Sequence, residues 1–129
     1  MLLLLRIIRY VKGIGHSRGY GIQSPFAYNF IKALRENKAS GNKTESLINH
    51  ITATYGERVI IADATEAIHM HVNGNTVLVV KGIYQTKQTY NYWHDLCESK
   101  RVTASFDLYY LGVAFFEQGL SKKNYIVNC

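Results

Sequence analysis

The stretch RVTASFDLYYLGVAFF, Arg101 to Phe116, decides the fold. From Val102 to Asp107 apolar and polar residues alternate. Val102, Ala104 and Phe106 fall on one side and Thr103, Ser105 and Asp107 on the other. A period of two, rich in β-branched and aromatic residues, predicts a strand with one buried face. A second apolar run, Val113 to Phe116, follows Gly112, where the chain turns or bulges at little steric cost. Together the two runs predict an antiparallel ribbon.

Working outward, Thr76 to Val80 (TVLVV) and Val59 to Ala62 (VIIA) are continuous apolar runs, as in strands covered on both faces. Between them, Ala64 to Val72 reads as a short helix and Asn73-Gly74 as a turn. A helix from about Thr86 to Ser99 puts Tyr90, Trp93 and Leu96 or Cys97 on its packed side, after a loop Lys81-Gly82-Ile83-Tyr84. Tyr125-Ile126-Val127, within Lys122 to Val127, predicts a closing strand.

Towards the N-terminus, Ser24-Pro25 marks a helix start whose inward face is Phe26, Ala27, Phe30, Ile31 and Leu34. A polar linker, Glu36 to Lys43, leads to a helix from Thr44 with Leu47, Ile48, Ile51 and Tyr55 inward and Gly56 as its stop. Residues 2–12 read as a short helix with Arg6, Arg9 and Lys12 on one stripe. The expected fold is one small three-layer α/β domain over residues 1–129, a partial Rossmann-like sheet with parallel strands and an antiparallel C-terminal ribbon. Residues 1–43 form an N-terminal helical segment and linker, and 44–129 the α/β core.

Composition bounds the function. A hydrophobic content of 47% suits a folded core and argues against disorder. Fifteen Lys and Arg against nine acids give a net charge of +6, which could serve nucleic acid, but the basic residues are scattered and only Lys122-Lys123 are adjacent. Nucleic acid is therefore the lesser alternative. Two cysteines, Cys97 and Cys129, make no disulfide framework and suit a cytoplasmic protein. The leucine-rich start lacks the flanks of a signal peptide, and Arg6 and Arg9 interrupt it well short of the ~20 residues a membrane span needs.

Several residues are candidates for chemistry. Asp63 ends a buried-type strand, where an open α/β sheet places a functional carboxylate, although the same position suits a helix N-cap. Gly13, Gly15 and Gly19 have the outline of a nucleotide-binding glycine loop, but the segment before them reads as helix rather than strand, so a connector is the simpler reading. His69 and His71, two apart in a stretch read as helix, sit poorly for sharing one metal ion and have no third ligand nearby, so no metal site is expected. The ten tyrosines could stack single-stranded nucleic acid, yet most fall on faces expected to pack. Neither Ser24 nor Ser105 has a His and an acid at a recognisable spacing, and His94 reads as a surface helix residue.

Two segments resemble the class I S-adenosylmethionine-dependent methyltransferases common in Bacteroidetes. RGYGIQSPFAYNFI, Arg18 to Ile31, is similar to that family's opening motif of a basic residue, His-Gly, His-Ser-Pro-Phe and an aromatic, with Gly19 to Phe26 carrying the match and Gln23 replacing a His. Thr76 to Val127 resembles the family's last parallel strand, a helix with a central Trp (Trp93), and a closing ribbon with Asp107, Leu108, Tyr109, Tyr110, Gly112, Phe115 and Phe116. The family's cofactor loop and ribose-binding acid have no counterpart between Asn37 and Lys81, and Lys81-Gly82 stands where relatives carry paired acids. The resemblance therefore implies a shortened, non-catalytic relative, a binding or assembly module without a cofactor. The alternative is an active methyltransferase with a rebuilt site, in which Gly13, Gly15 and Gly19 hold S-adenosylmethionine and Asp63 serves catalysis. In the family the strand resembling Val59 to Ala62 lies in mid-sheet. Loss of its neighbours leaves an edge, which either the N-terminal segment Leu2 to Val11 or a second copy covers, and the expected remedy is a homodimer through that edge.

Overall fold

The computed structural model describes residues 25–36, 43–70, 72–118 and 123–127. The predicted helix over 2–12, the glycines Gly13, Gly15 and Gly19, and Ser24, His71 and Cys129 lie outside the described residues. In chain order the elements are α1 (Pro25–Glu36), α2 (Lys43–Tyr55), a 3-10 turn (Gly56–Arg58), β1 (Val59–Asp63), α3 (Ala64–Ala67), β2 (Val77–Lys81), α4 (Lys87–Glu98), β3 (Ala104–Asp107), β4 (Leu111–Phe115) and β5 (Lys123–Ile126). The five strands form one mixed sheet in the order β1-β2-β4-β3-β5. β1 is parallel to β2 and β3 to β5, and β4 runs antiparallel to both β2 and β3. The fold is α/β, and the antiparallel strand sits inside the sheet.

Two cores flank the sheet because β2 is apolar and buried on both of its sides from Val77 to Val80. Val77 and Val79 join Phe106, Val113 and Phe115 beneath α1 and α2. Leu78 and Val80 join Ala114 and Phe116 on the opposite side, beneath α3 and α4. The α1 face delivers Ala27, Phe30, Ile31 and Leu34 to the first core, as its helical spacing predicts. Phe30 lies 4.4 Å from Phe106, and Phe26 meets Phe115 edge-on at 4.9 Å, geometries that add to the area these rings bury. Gly56 takes a φ of +59° where α2 gives way to the 3-10 turn, a conformation costly for any residue with a Cβ. Thr86 caps α4 in a reciprocal box with Thr89. Asn73 closes the Asn73–Thr76 turn, its carbonyl accepting from Thr76 N–H at 3.1 Å and its side-chain oxygen from Asn75 N–H at 2.8 Å.

Four expectations change. Ala64–Ala67 is a single helical turn, shorter than 64–72. The ribbon turns at Tyr109-Tyr110, and Gly112 lies in regular pairing between Asp107 and Val80. The polar side of β3 is not solvated: Ser105 and Asp107 are 1% and 6% exposed, so both faces of the strand are buried. Finally, β1 is only half covered. Ala62 is buried, Val59 and Ile60 are partly so, and Ile61 is 46% exposed, since among the described residues β1 ends the sheet.

Candidate functional site

The parallel strands bring their carboxyl ends to one edge, the edge at which open α/β sheets bind ligands. β1 contributes Asp63, in register with Lys81 of β2, and both side chains are exposed. Asp63 occupies the N-cap position of α3 but makes no capping hydrogen bond. β3 contributes Asp107, and the polar network of this edge is built around it.

Tyr84, in the loop after β2, donates its hydroxyl to Asp107 Oδ2 at 2.6 Å. The Tyr109 N–H donates to Oδ1 at 2.9 Å. Tyr109 has a φ of +70°, and the Tyr110 N–H returns to the Leu108 carbonyl at 2.9 Å, closing a three-residue turn of the rare sign. Such a backbone costs a non-glycine residue about 1–2 kcal/mol, so its surroundings must hold it. The Asp107 carboxylate is one restraint. The stack of Tyr109 on Tyr84, centroids 5.4 Å apart and nearly parallel, is the other. Tyr84 also packs on Tyr90 at 5.4 Å, and Tyr90 on His94 at 6.3 Å, so a ladder of rings runs from the ribbon turn onto α4.

Below this ladder, between α4 and strands β3 and β5, lies a cleft of about 200 Å³. Its α4 wall includes Tyr90, His94 and Glu98, and its strand side includes Ser105, Asp107 and Asn124. The Ser105 hydroxyl donates to Asn124 Oδ1 at 2.6 Å, so it is partnered by an amide and not by an imidazole. Burial, reinforced by the Asp107 carboxylate and Cys97, pushes the Tyr90 hydroxyl above its ordinary pKa of 10.0. Cys97 itself is buried, as a core position on the packed side of α4.

The raised Tyr90 value gives a pH prediction with a definite sign. The folded state holds the proton more tightly than the unfolded chain. The resulting contribution to stability is complete below pH ~10 and is lost as pH rises through the folded value. Denaturant melts at pH 9 and 11 should therefore show the wild type losing more stability across that interval than Tyr90→Phe. Equal losses would remove this assignment.

Of the predicted site residues, Asp63 alone lies among the described residues. It stands on the end strand of the sheet among the described residues, with β2 and β4 between it and β3, which carries Asp107. His69 is exposed, and among the described residues no group of three His, Cys, Asp or Glu side chains could hold a metal ion. Among them too, no helix is long and apolar enough to cross a membrane. The sequence does not single out Tyr84, Tyr90 or Asp107 for chemistry. The signal for Asp107 is the polar half of the Val102–Asp107 alternation, which reads equally well as a solvated face. Comparison with models of known protein families, with curated proteins and with solved structures finds no match.

Proposed function

We propose that the chain is a shortened, non-catalytic relative of the S-adenosylmethionine-dependent methyltransferases, serving as a binding and assembly module. The observation that carries this reading is the succession β2, α4, β3, β4 within one sheet, with Trp93 in the middle of α4 packed on Gly112 of the ribbon. That is the order of last parallel strand, Trp-centred helix and closing ribbon that the resemblance implies. The strand whose relatives lie in mid-sheet is here the end strand among the described residues. The homodimer proposed with this reading pairs through β1.

Isothermal titration with S-adenosylmethionine and S-adenosylhomocysteine tests the reading. No heat of binding is expected from either. Micromolar binding of either would overturn the non-catalytic assignment and favour the rebuilt methyltransferase. The exposed, uncapped Asp63 supports that second reading. In that case Asp63→Asn should abolish methyl transfer, and unchanged transfer would dismiss Asp63 from the site.

A further inference from the structure

We infer that the cleft between α4 and strands β3 and β5 binds a small organic cation carrying an alkylammonium group. The charge of its lining is the first reason. The chain carries a net +6, yet the cleft is lined by two carboxylates, Asp107 and Glu98, and by no lysine or arginine. Asp107 is 6% exposed, and a carboxylate so placed is far less screened than a surface acid. A cation entering the cleft gains from a field that the rest of the surface opposes.

The second reason is aromatic. Tyr84, Tyr90 and Trp93 all line the same space. Aromatic faces carry negative potential and attract cations, and Trp and Tyr suit quaternary ammonium groups best. A hydrated metal ion is a poorer fit, since among the described residues no three metal-ligating side chains gather anywhere. Size is the third reason. About 200 Å³ admits a compact headgroup and a short tail, and the Ser105–Asn124 pair on the strand side offers a polar contact for a hydroxyl or carbonyl on that tail. The inference is independent of the family reading, and its failure would leave the cofactor titration unaffected.

Trp93 is the chain's single tryptophan and lines the cleft, so its fluorescence reports on this site. The probe is choline, with 3,3-dimethylbutan-1-ol as an uncharged control of the same shape. Choline should change the emission saturably and bind about tenfold more tightly than the alcohol, the margin expected of a partly desolvated cation over aromatic rings. Asp107→Asn should remove most of that margin. Because Asp107 also anchors Tyr84 and the Tyr109 turn, that variant could unfold, and Glu98→Gln, at an exposed position, supplies the second arm. It should weaken choline about threefold and leave the alcohol unchanged. Equal affinities for choline and the alcohol, no saturable response to choline, or a choline affinity that Glu98→Gln leaves intact would each overturn the inference.

Discussion

Gly112→Ala should destabilise the domain by about 1–3 kcal/mol, the usual cost of forcing an extra methyl into a packed core. A Cβ built on Gly112 meets Trp93 Cη2 at 2.5 Å, Cζ2 at 2.6 Å and Cζ3 at 2.7 Å, distances that real Cβ contacts do not show. The indole is a rigid plane and Trp93 is 4% exposed, so it cannot swing out of the way without disturbing the α4 core. The sign is the informative part. Gly in a strand interior normally costs about 0.5–1 kcal/mol relative to Ala, so at an ordinary site the substitution would stabilise. Here the flat indole needs the bare backbone. At this chain length the loss corresponds to a fall in Tm of roughly 3–5 °C per kcal/mol, measurable by calorimetry. A double-mutant cycle with Trp93→Leu isolates the clash, since Gly112→Ala should cost much less where the indole is gone. A Tm that is unchanged or raised in Gly112→Ala would show that α4 and the ribbon do not pack in this way.

Gly112 also shows why some features are legible in the sequence and others are not. Missing a side chain serves a turn and a close approach equally well, and the sequence around Gly112 does not say which it is. The actual turn, Tyr109-Tyr110, contains no Gly, Asn or Pro. It is held instead by the Asp107 carboxylate and the Tyr84 ring, both brought there by tertiary structure. Local chemistry, by contrast, is readable. Pro25 starts α1, Thr86 caps α4, and the VLVV of β2 is buried throughout because helices cover both sides of it. The apolar run of β1 looks the same as that of β2. What separates them is position in the sheet, a property that no five-residue pattern encodes. The cleft is hidden for a related reason. A polar face of a strand reads as solvent-facing until an amphipathic helix is laid over it, and here that helix is α4.

The second large effect concerns assembly. As the end strand among the described residues, β1 presents an apolar, lysine-free and proline-free edge, the kind of edge that templates pairing with another chain. Arg58, the nearest cation in sequence, does not guard that edge. Its Nε donates to the Asn75 carbonyl at 2.7 Å, and its guanidinium lies 5.4 Å from the centre of the Tyr55 ring. Antiparallel pairing of two copies about a two-fold axis through Ile61 would set Val59 of one chain against Asp63 of the other and cover both Ile61 side chains. A five-residue strand makes a small interface, so the dimer should be concentration-dependent. The variant must be chosen on burial. Ile60 packs against the α3–α4 core, and a lysine there would test folding; Ile61 is 46% exposed, and a lysine there would test only the edge. Light scattering over a concentration series should give twice the monomer mass for the wild type and the monomer mass for Ile61→Lys, with near-equal melting temperatures at dilution. A wild type that stays monomeric throughout would mean that the β1 edge is already covered, and the proposed homodimer would fall.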